Sequence, residues 1–512
     1  MGAKWNVLVY AFDVELKEDV KAPVKTIVVD RSQVQWAALD LEGLIDEQHP
    51  ARMIWELSGR FDLRLFEDKQ KSREGDAGRP CWPARLQVSI WIYGYTLGVA
   101  SARALERMMP YEPGLRWLTA DQQINHHTLS DFRVGHKEAL EGVFAQLLTL
   151  LETAGLVDLK RLLHDGTKVR AVAGRGSLHR RKTLEKRMRQ ARHVIKKLDE
   201  KAAAEGEGMD ARRQAAQQRA AREALARATA ALEKLKKLEA AARPSERDQV
   251  RVSDSEPEAR NMKHADGGCG PSYNVQVTTE AKGPFIVGMG VCTAANDTQE
   301  LMPAVARVKS SCGAIPEQMI ADGGYATRSN VEQTSAQKIE LIAPWKEAAS
   351  REAGACKSNG IEAEFAPSEF RNQRGGKKLT CPAGKTLVQI QQKTHHGVLR
   401  NVFEARAQDC RRCQWKKACC GSRGGPRRVE RVVESPPMKQ YLARMKRPEV
   451  RQLYRKRSEI AEFPHMWMKA VKKWRRFSVR GLVKAGIEAT WVALSYNAAQ
   501  MMRLQRTLAA AA

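Results

Sequence analysis

Three acidic residues stand where they could do metal-assisted chemistry: Asp165 in HDGTKVRA, Asp322 in ADGGY and Glu462 in RSEIAEFPHMWMK. Each Asp follows an apolar stretch and precedes Gly, so each is expected to close a strand with its side chain facing a crevice. Ligands of α/β sheets gather at such strand ends. Glu462 is expected on a helix that lays it beside the other two. Three converging carboxylates repel one another unless divalent cations stand between them. Their oxygens suit Mg²⁺ (or Mn²⁺), which takes one or two carboxylates, retained waters and substrate phosphate oxygens. Two such ions about 3.5–4 Å apart stabilise the attacking and leaving oxygens of an in-line phosphoryl displacement.

A second constellation is made of cysteines. The chain has 10 Cys, too sparse for a disulfide scaffold at this length. Cys81, Cys269, Cys292, Cys312 and Cys356 are scattered singly, and the others lie between Cys381 and Cys420. In a reduced compartment a cluster reads as metal before disulfide. One CxxC arm, Cys410-x2-Cys413, joined by Cys381 and Cys419, is compatible with a tetrahedral structural Zn²⁺. The alternative is free thiols in a basic loop region.

The elements that must position these residues follow from patterning. Residues 1–27 carry no readable pattern. Residues 28–150 read as a helical domain that contacts DNA or serves as a plain helical support. In Pro83–Met109 the apolar residues Leu86, Ile90, Tyr93 and Leu97 recur on a helical period. Thr128 is placed as the cap of a further helix leading into LEGVFAQLLTLLETAG. Residues 151–345 alternate strand and helix. A strand ends at Asp165 and turns at Gly166. A hairpin follows in SYNVQVTTE and FIVGMGVC, then a helix in TQELMPAVARVKS. A strand ends at Asp322, followed by a helix in RSNVEQTSAQKI and a short strand in ELIAP. Residues 178–243, rich in Ala, Lys, Arg, Glu and Gln, carry Leu225, Ala228, Leu232 and Leu235 at heptad spacing, with Gly206 and Gly208 at a break. They read as an inserted antiparallel helical hairpin: a solvated helix pair, or a basic arm on phosphates or a partner subunit. From 346 to 440 the pattern dissolves into Gly, Lys, Arg and Cys, a basic Cys-containing insertion. Residues 441–512 return to helix and complete the core with Glu462. The fold class is therefore α/β.

Composition names the partner class. Of 512 residues, 87 are Lys or Arg and 59 Asp or Glu, a net charge of +28. Such an excess repels itself and is most simply explained by a polyanion, with nucleic acid the leading partner and a merely soluble basic enzyme the alternative. A hydrophobic share of 43% excludes a wholly disordered basic tail. No apolar run approaches the roughly 18 residues of a membrane span. The opening MGAKWNVLVYAFDVELKEDV resembles no signal peptide, and Asn6 stands where a myristoylation motif needs Ser or Thr. A cytoplasmic location without membrane attachment is expected.

These residues resemble bacterial DDE-type insertion-sequence transposases, most closely the insertion-sequence family numbered eleven eighty-two. The resemblance is carried by Gly78–Pro80, the segment from Trp91 to Leu105, HTLSDFR (His127–Arg133) and DGTKVRA (Asp165–Ala171). It continues in SEPEARNMKH, YNVQV, Asn296–Asp297, ADGGY, YRKRSEIAEFPHMWMK, Arg480–Gly481 and the Trp491-x5-Asn497 pattern. It implies a ribonuclease-H-like catalytic core with the hairpin and the Cys-bearing segment as insertions, preceded by an all-α N-terminal domain. It also implies that terminal inverted repeats are bound, a strand is hydrolysed there, and the freed 3′-hydroxyl is joined to target DNA. Two ends held together imply a homodimer on DNA. Asp165, Asp322 and Glu462 would be the metal-binding carboxylates. Related transposases carry Tyr-x2-Arg-x3-Glu-x6-Lys; here Tyr454 and Arg457 keep the first spacing, Glu462 and Lys469 the last, and the middle gap is four. Glu459 is the rival: with Arg455 it restores the middle gap, but Met466 then stands at the Lys position. By resemblance Tyr454, Arg457 and Lys469 contact phosphates near the cut, and family members show a similar cysteine pattern. Where relatives read TDPDAR this chain has Ser255–Arg260, to which no catalytic role is assigned. Pro464 would kink the Glu462 helix outside its first turn. Two other functions stay open: an inactive DNA-binding derivative, and a nuclease that hydrolyses without joining.

Overall fold

The computed structural model describes residues 40–70, 80–204, 211–283, 285–345, 347–395, 397–421 and 424–511. The 1–27 segment, Gly78, Gly206 and Gly208 lie outside these residues.

The first helices form where caps and apolar faces coincide. In α1 (Pro50–Ser58) Pro50 sits in the first turn and His49 Nδ1 accepts from the Ala51 N–H at 3.2 Å. The stretch 83–109 is two helices, α2 (Ala84–Thr96) and α3 (Ala102–Met108). Gly98, at φ 78°, turns the chain between them, and Ser101 caps α3. Beyond α4 (Pro113–Thr119), α5 (His126–Gly135) begins two residues before the cap expected at Thr128. Asn125 Oδ1 accepts from the His127 N–H at 2.7 Å, so Asn takes the cap and leaves Thr128 inside the helix. In α6 (Lys137–Thr153), Leu140, Val143, Phe144, Leu147, Leu148 and Leu151 bury one stripe.

The mixed sheet begins with β1 (Arg161–Arg170). The chain then runs out and back through α7 (Arg181–Ala204) and α8 (Ala211–Ala241), which pack on each other. Leu184, Ala231, Leu232 and Leu235 form a small core there. After the excursion come β2 (Arg260–Lys263), β3 (Cys269–Glu280), β4 (Ile286–Cys292) and α9 (Leu301–Cys312). Next are β5 (Gln318–Ala321), α10 (Arg328–Ala336) and β6 (Glu340–Ile342). The sheet order is β2-β3-β1-β5-β6, with β4 beside β3. β3 runs antiparallel to β1, whereas β5 runs parallel to β1 and β6 to β5.

One expectation needs correction. β1 does not end at Asp165: it continues through Gly166 to Arg170, pairing Gly166 with Gln276. Gly166 is there for close approach, not for a turn. A Cβ on it would stand 2.5 Å from Asp297 Oδ1 and 2.6 Å from Gln276 Nε2.

Where the sequence pattern dissolves, the chain is ordered. After α11 (Glu347–Ser358) come β7 (Arg371–Asn372), β8 (Lys378–Thr380), β9 (Thr386–His395), β10 (Val398–Ala405) and β11 (Arg428–Val432). They form one antiparallel sheet in the order β11-β10-β9-β8-β7. Its core is only Phe370, Leu379, Leu387, Phe403, Ala405 and Val429. Residues 391–395 of β9 are exposed, so no buried face enforces alternation there.

The chain returns through α12 (Pro436–Arg444), α13 (Pro448–Arg455) and α14 (Arg457–Met466) to a π-helical turn at Trp467–Val471 and α15 (Leu482–Ala511). Pro464 falls inside α14, and the π turn follows directly. α15 lies between the helical domain and the sheet. Ser495 Oγ donates to Ile92 O at 3.1 Å, and Trp491 Nε1 donates to Arg133 O at 3.2 Å. The Asn497 amide donates to and accepts from the Ile286 backbone at 2.8 and 2.9 Å, filling the edge of β4. A single hydrophobic core therefore runs from α1 to α15.

Candidate active site

Strand register brings the two aspartates together. The parallel pairing of β1 with β5 ends at His164 opposite Ala321, so Asp165 and Asp322 are the next residue of each strand. Period-two alternation then sorts β1 between its faces. Leu163 joins Ile320, Val450 and Ala461 in a core beneath α13 and α14. Asp165 and Thr167 follow on that face: Arg457 Nη2 stands 3.0 Å from Asp165 Oδ2, and Lys469 Nζ donates to Thr167 Oγ1.

The other face carries a closed polar network. His164 shares hydrogen bonds with Thr278 Oγ1 and Gln276 Oε1, both at 2.9 Å. The Tyr325 hydroxyl donates to Gln276 Oε1 at 2.6 Å. Gln276 Nε2 and Asn274 Nδ2 donate to Asp297 Oδ1 at 2.8 and 2.7 Å. Asn274, Gln276 and Thr278 are all buried. Every group in this network has a partner, the condition under which buried polar chains rigidify a fold.

The electrostatics point to a cation. Burial, and then the like charges of Asp322 and Asp297, push Asp165 up to about 6, against the pull of Arg457 and the Gly166 N–H. Burial and the same three carboxylates also raise the Tyr325 phenol. Asp322 Oδ1 accepts from the Gly324 N–H at 2.6 Å, which fixes its rotamer. Tyr454 interacts with Arg457 and feels both Asp322 and Asp165. Of the residues singled out in sequence, Asp165, Asp322, Tyr454, Arg457 and Lys469 thus stand in one neighbourhood.

Glu462 stands elsewhere. Ala461 and Pro464 bury one side of α14, whereas Glu462 and its rival Glu459 are exposed. The side chain that α14 offers Asp165, besides Arg457, is His465. It is 13% exposed, and its Nε2 lies 3.8 Å from Asp165 Oδ2. Neither ring nitrogen has a hydrogen-bond partner. Burial, then Lys469 and Arg457, push its pKa down to about 4, so the ring is neutral. Among the described residues no three His, Cys, Asp or Glu side chains are already arranged to hold a metal ion.

Sequence reasoning missed Asp297 and His465 as neighbours of the acid pair. The signal for the first was the polar period-two stripe Asn274, Gln276, Thr278 interleaved with the apolar Tyr273, Val275 and Val277. Several remaining motif residues clamp the fold. Glu256 accepts from Ala173 N, Tyr273 Oη and Gly481 N at 3.0, 2.9 and 3.1 Å, tying Arg480–Gly481 to the sheet. Arg133 reaches Ala100 O and Ser478 Oγ and lies 4.7 Å over the Trp91 ring. Glu488 accepts from Trp474 Nε1 at 2.9 Å and Ser478 Oγ at 2.8 Å. Burial raises its pKa, and Arg133 pulls it back.

Replacing Gly166 by Ala is expected to destabilise the fold by about 1–3 kcal/mol, the usual range for overpacking. It should also lower activity, because the new methyl group displaces Asp297 or Gln276. Urea unfolding checks the first expectation; an unchanged midpoint would show that the network gives way freely.

The cysteines converge as well. Cys381, Cys410, Cys413, Cys419 and Cys420 line one cavity of about 30 Å³. The Lys385 N–H points to Cys381 Sγ at 3.2 Å and the Arg427 N–H to Cys410 Sγ at 3.5 Å. Burial pushes the Cys419 thiol up to about 12, with neighbouring cysteines adding to the rise and Arg427 opposing it.

Comparison with known families places both ends of the chain. Residues 380–502 match the family described as transposase DDE domain, and residues 39–135 match the family described as transposase domain (DUF772). The first match covers most of the Cys-bearing sheet, α14 and most of α15; the second covers α1 to α5. Asp165 and Asp322 lie between the two. No curated protein matches the chain. No described helix is long and apolar enough to cross a membrane. Together the two matches support a DDE-type transposase.

Proposed function

We propose that this protein is a transposase of the insertion-sequence type, resembling family eleven eighty-two. It binds the terminal inverted repeats of its element as a homodimer, cleaves there, and joins the 3′-hydroxyl to target DNA. The observation that carries this reading is the register-enforced adjacency of Asp165 and Asp322, with Asp165 held near 6 by burial and like charge. The antiparallel β1-β3-β4 set followed by parallel β5 and β6 supports a ribonuclease-H-like core.

A divalent Mg²⁺ or Mn²⁺ at this pair would neutralise charge and activate the attacking oxygen. The donor set fits: Asp165, whose burial disfavours its ionisation, Asp322 beside it and a third carboxylate, Asp297, close behind. Asp165 and Asp322 would hold the reacting phosphate's cation. Arg457 and Lys469, on the same face, take phosphate oxygens, with Tyr454 beside Arg457. Glu462, one turn from His465 on α14, comes to the acids only if α14 turns when DNA binds. The helical arm α7–α8 and the basic Cys-bearing sheet add phosphate contacts along the DNA.

Strand joining decides the function. Full-length protein given pre-cut ends, target DNA and Mg²⁺ is expected to form joined product. Hydrolysis alone would make it a nuclease, and inactivity in both steps would make it a DNA-binding derivative.

Structural zinc at Cys381, Cys410, Cys413 and Cys419 belongs to the same proposal. A sheet with so small a core needs a further staple, and backbone N–H groups already point at two of the sulfurs. The thiols must draw inward to close on the ion. Purified protein is expected to carry about one zinc per chain, lost in Cys410→Ser together with order in the insertion. Metal-free, fully folded protein would remove this claim.

A further inference from the structure

We propose that His465 is a nitrogen ligand of the divalent cation held at Asp165, and that it tilts this site toward Mn²⁺ over Mg²⁺. The inference rests on the transposase reading above. It begins from an imbalance. The imidazole is buried and neither ring nitrogen has a hydrogen-bond partner. Leaving a buried polar group unpaired costs about 1–3 kcal/mol, so such a group calls for an explanation. The surroundings supply no ordinary one. The facing groups are Asp165, Arg457, Lys469 and His164. Both His164 nitrogens are already engaged by Thr278 and Gln276.

The distance selects the role. At 3.8 Å, Nε2 and Asp165 Oδ2 are too far apart for a hydrogen bond. Two ligands that each stand about 2.0–2.2 Å from one ion are separated by at most about 4.4 Å, so a single cation can bridge this pair. In the free protein the Arg457 guanidinium lies on that same oxygen at 3.0 Å, a positive charge close to where the ion's would be. The ion, with twice the charge, displaces Arg457 from that oxygen on entering. Glu462 and Glu459 are exposed, so the group α14 presents to the pair is an imidazole and not a carboxylate. Imidazole suits first-row transition ions, whereas Mg²⁺ prefers an all-oxygen set.

The test is electron paramagnetic resonance of Mn²⁺ on DNA-free, full-length protein, with titrations of Mn²⁺ and Mg²⁺ alone. Wild type is expected to show a directly bonded ¹⁴N. His465→Ala should lose it, with Mn²⁺ binding weakened about tenfold or more and Mg²⁺ binding little changed. Glu462→Ala should keep the nitrogen signal. His465→Asn serves in place of Ala if the smaller side chain prevents folding. Mn²⁺ bound without nitrogen in wild type, or a nitrogen that persists in the His465 variants, overturns the proposal. Failure of wild type to bind Mn²⁺, or binding indifferent to Asp165→Asn, overturns the underlying metal reading instead.

Discussion

Asp165→Asn is expected to lower strand cleavage at the cognate ends by more than about 100-fold. Residues that only support a metal ligand cost about 10–100-fold when mutated, so a direct ligand must cost more. The substitution keeps shape and retains an oxygen to accept the Gly166 N–H, which now reaches Asp165 Oδ1 at 2.9 Å. What it removes is the negative charge. Folding should survive: burial and two like charges already disfavour the carboxylate, so without divalent ions the unfolding midpoint should not fall. Labelled-end cleavage assays, run beside a thermal melt, check both parts. Cleavage within tenfold of wild type in a folded Asp165→Asn protein would end the two-carboxylate mechanism.

The largest stability effect is expected far from the acids, at Arg133→Leu, with a loss of about 3–5 kcal/mol. Arg133 and Glu488 share Ser478 Oγ, and removing the cation leaves a buried carboxylate without its compensating charge. Here the orphan would be Glu488, 1% exposed, whose ionised form is sustained by Arg133, Trp474 and Ser478. The change also deletes a cation over Trp91 and the donors to Ala100 and Ser478. Glu488→Gln should cost less, because burial already favours its neutral form. Urea titration followed by tryptophan fluorescence measures both, since Trp91, Trp474 and Trp491 all lie in this core. Equal losses for the two variants would show that packing, not charge compensation, holds this junction.

Legibility in the sequence followed the range of the interactions. The strand–helix alternation around Asp322 is local, and it reads correctly from HPHP patterning and caps. Asp165 was recognisable from its apolar approach. Its place within β1 was not, because Gly166 has two explanations, a turn or a close neighbour. Only the contact with Asp297, 131 positions later, decides between them. The Cys-bearing sheet left no periodic trace because its core is six residues and much of β9 faces water. Nothing local in sequence signals the link between Arg133 and Glu488: they meet at Ser478 and so join α5 to α15 across the chain. His465 carried no signal of its own. Its meaning needs the position of Asp165, which no spacing rule on α14 contains.

The placement of α15 bears on how the protein is made. Asn497 fills the edge of β4 that Ile286 exposes, and Trp491 locks onto the end of α5. Both closures join residues 211 and 358 positions apart, so they come late in folding. Such late, distant closures are slow and leave intermediates prone to aggregate. Until α15 docks, the sheet that carries Asp165 and Asp322 lacks the helix that seats it against the N-terminal helices, so the setting of the acid pair depends on some of the longest-range contacts in the fold.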